Sequence, residues 1–194
     1  MKAKDVVVVR YLIEHTKEEL NIRTVAEALR MDYKNTHSIV KRLEQASLIQ
    51  IERFGQSNRL RLAEKTHPLI FEAEYQRREE VLKNRSLKVM LNRFREALPS
   101  KLFVLLLFGS YARKTQTKHS DMDLMFIVPN GTEARLEKAV DAAARILPLE
   151  LHCLVFSEKQ FMGMLHAKEG NVGKEAAACH VILYGIEGYY EMMQ

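Results

Sequence analysis

The chain has 194 residues, 47% hydrophobic and 28% charged, enough for one large domain or two small ones with modest cores, and it reads as an ordinary soluble protein. Its formal net charge of +5 mildly favours a polyanionic partner, nucleic acid first, because the charges are spread along the chain rather than blocked into a tail. Cys153 and Cys179 lack CxxC spacing, which argues against zinc and disulfide roles; apolar runs such as Val6 to Val9 are far too short to span a bilayer, and no signal-peptide layout opens the sequence, so a reducing, cytoplasmic setting without a membrane partner is expected.

In chain order, Asp5 to Glu19 carries an apolar stripe at Val8, Val9, Leu12 and Ile13 and predicts a helix. Thr24 followed by Glu27 has the capping-box spacing and predicts a short helix from Val25 to Arg30, with Met31-Asp32 as the turn. A second helix from Tyr33 to Ala46 sets a core stripe of Ile39, Val40 and Leu43 beside Lys34, Asn35, His37, Ser38, Lys41 and Arg42. Leu48 to Arg53 and Arg59 to Leu62 read as strands joined by the tip Phe54-Gly55-Gln56-Ser57-Asn58.

Helix, short helix, turn, helix and hairpin in that order resemble the winged helix-turn-helix of transcription regulators, over about sixty residues. The side chains of the second helix can reach base edges and phosphates in a major groove. Arg53, Arg59 and Arg61 flank the wing, placed for backbone phosphate or the minor groove. Double-stranded DNA is the expected partner of residues 1–66. The plainer alternative is a solvated cationic face.

Residues 67–98 are charged, helical in period and bracketed by Pro68 and Pro99, with apolar positions from Leu69 to Phe94. They are expected to form one or two connecting helices, which either dock the two halves together or make the seam of a homodimer.

Phe103 to Phe108 reads as a buried strand, and Gly109-Ser110 ends it. Glycine lets the backbone turn and approach a ligand, and a helix beginning at Ser110 would present N–H groups suited to phosphate. Ser120-Asp121-Met122-Asp123-Leu124 then leads into the apolar run Met125 to Val128. Residues two apart on a strand share a face, so Asp121 and Asp123 project together, and two adjacent carboxylates call for a cation between them. Magnesium, held by one or two carboxylates and phosphate oxygens, suits the pair.

That order of apolar strand, Gly-Ser, short helix, Ser-Asp-x-Asp-Leu and apolar strand is similar to the polymerase-beta-like nucleotidyltransferase superfamily, and most of all to its minimal prokaryotic members, over residues 99–194. Gly109, Ser110, Asp121 and Asp123 match the signature, and Tyr111-Ala112-Arg113 fits its usual sequel. The resemblance implies transfer of a nucleoside monophosphate from a nucleoside triphosphate to a hydroxyl. It gives Asp121 and Asp123 the role of metal ligands, and Gly109, Ser110 and Arg113 a place against the triphosphate. The acceptor is a protein or a nucleic acid; some minimal members form the antitoxin-like half of a pair that modifies its partner.

Two departures stand out. Active members carry a third acidic residue on a later strand, here Pro148 to Phe156, where Glu150 and His152 share a face. The preferred register puts His152 in the third slot, and Glu150 is the candidate third catalytic acid if the strand shifts by two. A histidine could serve as base or ligand, although magnesium favours oxygen, and a half-buried polar role is the plainer reading. Lys114 stands where the family commonly has glycine. The tail from Asn171 to Gln194 is expected to be a helix interrupted at Gly185 and Gly188.

The whole is therefore expected to be α+β: an N-terminal winged helix-turn-helix, a helical linker and a C-terminal polymerase-beta-like mixed sheet with helices. The expected function is magnesium-dependent nucleotidyl transfer by a DNA-associated enzyme. Its rival is a transcription regulator whose second domain senses nucleotide without catalysis.

Overall fold

In the computed structural model the described residues are 3–54, 57–63 and 66–194. They divide into two compact units, residues 1–76 with 193–194 and residues 77–192. Among the described residues no helix is long and apolar enough to cross a membrane.

The first unit opens with α1 (Ala3–Glu14), α2 (Ile22–Ala28) and α3 (Tyr33–Gln45). α1 stops five residues short of the expected Glu19; in the loop that follows, Leu20 is buried and its carbonyl accepts a hydrogen bond from Leu60 N at 2.8 Å. The cap of α2 also falls earlier than expected. Asn21 is the N-cap, its side chain accepting from Thr24 N, while Thr24 Oγ1 accepts from Asn21 N. Thr24 is thus the far half of the reciprocal box rather than its first residue. Asp32 caps α3 by accepting from Asn35 N at 3.1 Å.

Thr36, Ile39, Val40 and Leu43 form the buried face of α3. A hairpin of β1 (Ile49–Phe54) and β2 (Ser57–Leu62) follows, antiparallel with Ile49 opposite Leu62 and Ile51 opposite Leu60. Gly55 and Gln56, expected at the wing tip, lie outside the described residues. Three helices and this hairpin make a winged helix-turn-helix fold.

α4 (Pro68–Val81) crosses the division between the units, and α5 (Arg85–Ala97) is capped by Asn84. The expected connecting segment is therefore two helices. α5 buries Leu87, Met90, Leu91 and Phe94 in the core of the second unit.

That core is built on a four-stranded mixed sheet of β3 (Val104–Phe108), β4 (Met122–Val128), β5 (Leu151–Ser157) and β6 (Val181–Tyr184), in the order β5-β4-β3-β6. β3 is antiparallel to β4 and β6, and β4 is parallel to β5. α7 (Glu133–Ala144) makes the crossover between the parallel pair.

One face of the sheet, through Leu105, Leu107, Leu124 and Phe126, packs with α5 and with Leu136 and Val140 of α7. The other face buries Leu106, Met125 and Ile182, and α8 (Glu158–His166) and α9 (Val172–Ala178) are its neighbours. α10 (Ile186–Met192) closes the unit.

The expected tail helix is corrected here: Val181 to Tyr184 is the strand β6. Four consecutive apolar residues, ended by Gly185 at φ +76, satisfy their backbone against β3 and bury Val181, Ile182 and Leu183. Pairing with a central strand overrides the helical period read through Val181 to Tyr184.

Candidate functional site

Gly109 and Ser110 begin α6 (Gly109–Ala112), directly after β3. Gly109 has φ +66, the left-handed region that glycine adopts without steric cost. It is constrained by space as well. β3 pairs Phe108 with Asp123 on β4, and a Cβ on Gly109 would collide with Asp123 Oδ2 and stand 2.9 Å from its Cγ. The Asp123 carboxylate therefore sits in the room that the missing side chain leaves.

Asp121 lies one residue before β4 and is exposed, while Asp123 is partly buried. Their spacing puts both on the sheet face that α8 and α9 adjoin. On the parallel neighbour His152 is the direct partner of Asp123, and its Nδ1 stands 3.1 Å from Asp123 Oδ1. Glu150 is exposed, one residue outside β5, and its carbonyl accepts from Met122 N at 3.0 Å. The structure thus joins Asp123 with Gly109 and His152, and aligns the backbone of Glu150 with the start of β4.

Arg113 C-caps α6 and forms an ion pair with Glu175 of α9 at 3.1 Å, both side chains about half exposed. A pair so placed contributes only ~0–1 kcal/mol, and its guanidinium can be exchanged onto phosphate. Lys114 follows at φ +57. The backbone at this point takes the conformation that glycine prefers, and lysine occupies it at a cost of about 1–2 kcal/mol.

Among the described residues no three His, Cys, Asp or Glu side chains converge as a group able to hold a metal ion. The donors that do meet are carboxylate and imidazole, in a cradle made by a glycine. Two such protein donors, with phosphate oxygens completing the shell, fit a hard or borderline divalent cation.

In the winged unit, Lys34, Ser38, Lys41 and Arg53 are exposed and Asn35 and His37 half-buried. Lys41 pairs with Glu44 at 2.8 Å. Three arginines expected at the DNA form ion pairs within the unit. Arg42 forms an ion pair with the buried Asp5 of α1, its Nε 3.3 Å from Asp5 Oδ2, which ties α3 to α1. Arg59, mostly buried, pairs with Glu19 at 3.4 Å, and Arg61 pairs with Glu52 at 3.3 Å. Sequence reasoning had no signal for the roles of Asp5 and Glu19: partners 37 and 40 residues apart meet only when the unit folds.

Residues 87–176 match the family model of the nucleotidyltransferase domain, and residues 1–64 match a family model described as HVO_A0114. None of the curated proteins compared matches the chain. Among solved structures the chain is similar to MepR, a transcription regulator of the Staphylococcus aureus multidrug efflux pump MepA, at 18% identity over 50% of this chain and 78% of that one. It is similar to a MarR family protein from Bacillus stearothermophilus at 20% identity over 50% and 71%. A third likeness is to a toxin-antitoxin with AMP-PNP, at 19% over 56% and 77%. The TM-score is 0.37 for all three, and at that value none bears on function. The strand, Gly-Ser turn and paired aspartates fall inside the matched domain, and the hairpin follows α3 in the unit before it. The chain joins an N-terminal winged helix-turn-helix fold to a segment, residues 87–176, that matches the nucleotidyltransferase domain.

Proposed function

We propose that this chain is a DNA-associated nucleotidyltransferase that moves a nucleoside monophosphate from a nucleoside triphosphate to a hydroxyl of a protein or nucleic acid, with magnesium held by Asp121 and Asp123. The observation that carries the reading is the Asp123 carboxylate set into the space beside Gly109, on the same face as Asp121 and next to the turn where phosphate would lie.

In the transfer, the acceptor oxygen bonds to the α-phosphorus while the bond to the bridging oxygen breaks, and pyrophosphate leaves. The metal, when bound, neutralises phosphate charge and lowers the pKa of the attacking hydroxyl. Asp121 and Asp123 orient it. Gly109 lets the backbone approach the triphosphate, Ser110 donates its hydroxyl, and Arg113, released from Glu175, adds a charged donor. Glu150, exposed at the entry of β5, takes the acceptor proton. On the winged unit, Lys34, Asn35, His37, Ser38, Lys41 and Arg53 contact DNA, while Arg42 and Arg59 hold the helix and wing that present them.

The test incubates the full chain with magnesium and each α-labelled nucleoside triphosphate, with and without cell lysate, and follows label into protein or nucleic acid. Label transfer is expected, and Asp121→Asn with Asp123→Asn is expected to abolish it, and nucleotide binding with it, without lowering Tm. Binding without transfer would replace the enzyme with a nucleotide-sensing regulator. Unchanged nucleotide affinity in the double variant would remove the metal-site assignment.

A further inference from the structure

β5 is the edge strand beside β4, and its parallel register sets His152 directly opposite Asp123. One oxygen of that carboxylate, Oδ2, occupies the space left by Gly109, and the other, Oδ1, stands 3.1 Å from the imidazole Nδ1. The imidazole is 57% exposed and the carboxylate 28%. The pair therefore opens to solvent, on the face where the substrate phosphate is proposed to lie.

That distance suits a hydrogen bond, and it suits something else. Two ligands about 2.1 Å from an octahedral divalent ion, on neighbouring corners, stand about 3 Å apart. Asp123 and His152 already have that spacing, so a cation can take the place of the shared proton with little movement of either side chain. A partly exposed His–Asp pair contributes only about 0–1 kcal/mol, and offers little resistance to the exchange. The remaining corners would be filled by phosphate oxygens and water, since no third protein donor converges with the pair among the described residues.

Resting on the nucleotidyltransferase reading above, we infer that His152 is a ligand in this site and sets its cation preference. A mixed nitrogen and oxygen pair favours a first-row transition cation such as Mn2+ over Mg2+, whose shell is almost wholly oxygen. His152 takes the place of a third carboxylate, and with it the site trades charge for softness. Glu150, on the same face but outside the ladder, keeps its proposed work as proton acceptor.

The experiment measures Mn2+ binding to the full chain by electron paramagnetic resonance, with inorganic tripolyphosphate as the phosphate probe because it contains no nitrogen, and obtains Mg2+ affinity by competition. Wild type, His152→Asp, and Asp121→Asn with Asp123→Asn are compared, each checked for an unchanged Tm. Pulsed measurements on the wild type are expected to show coupling to a directly bound nitrogen that is absent in His152→Asp. The Mn2+ to Mg2+ affinity ratio is expected to fall roughly tenfold in that variant. Mn2+ bound without nitrogen coupling, and lost in the double aspartate variant, would overturn the role of His152 and leave the carboxylate site standing. A folded wild type that binds neither cation would overturn both.

Discussion

Gly109 shows how a single residue supports a site without touching substrate through a side chain. Its φ of +66 and the carboxylate in its Cβ position are two separate demands for glycine. Gly109→Ala is expected to lower stability by about 1–3 kcal/mol and to displace Asp123, so that divalent-dependent nucleotide binding drops at least tenfold while unit folding persists. Titration of nucleotide with and without magnesium, alongside thermal melting, checks it; wild-type binding would show that Asp123 does not need this seat. Cys153 illustrates the opposite case, a reactive group kept inert. Burial, and next the Asp141 charge, push its thiol up to about 12. The neutral form thus persists across the physiological range. Alkylation of native Cys153 at pH 8 is expected to be on the order of a thousandfold slower than for an ordinary thiol, becoming normal on unfolding, as read by peptide mass spectrometry.

Among the elements, α3 divides its cations between two tasks. Lys34 and Lys41 are exposed, whereas Arg42 neutralises the buried Asp5. Lys34→Ala with Lys41→Ala is expected to leave Tm within a degree or two and to reduce the salt slope of DNA binding by about 2, roughly 0.9 for each phosphate no longer neutralised. Arg42→Ala is expected to cost about 2 kcal/mol of stability by leaving a buried carboxylate without its partner. Chemical denaturation together with binding across a salt series separates the two effects. DNA affinity indifferent to salt would remove the DNA assignment. The register of β5 on β4 matters in the same way: a slip of two residues would bring Glu150 rather than His152 beside Asp123, exchanging a carboxylate for an imidazole.

For the protein as a whole, two compact units, each with its own buried core, imply that ligands stabilise them separately. A ligand at about a hundred times its Kd adds about 2.7 kcal/mol to the unit that binds it. Calorimetry is expected to show nucleotide with a divalent cation raising one unfolding transition and duplex DNA raising the other. A single transition that moves as one with either ligand would mean that the units unfold together, and would supply the coupling that nucleotide-dependent DNA binding requires.

Much of this was written in local pattern. A continuous apolar run ending at Gly-Ser reads as a buried strand and turn, and Asp121 and Asp123 two apart share a face whichever way the strand is embedded, because both features depend only on neighbouring residues. The same holds for α3, whose apolar stripe and Asp32 cap are contiguous. The features that waited for the assembled fold involve partners distant along the chain. Val181 to Tyr184 became a strand because β3 offered a free edge, the Leu20 carbonyl found its donor in Leu60, and Arg42 and Arg59 turned inward to Asp5 and Glu19. The placing of His152 against Asp123 is of this kind too. Two positions 29 residues apart meet through the parallel register of their strands, and register is set by burying one whole face of a sheet, a property of no single segment.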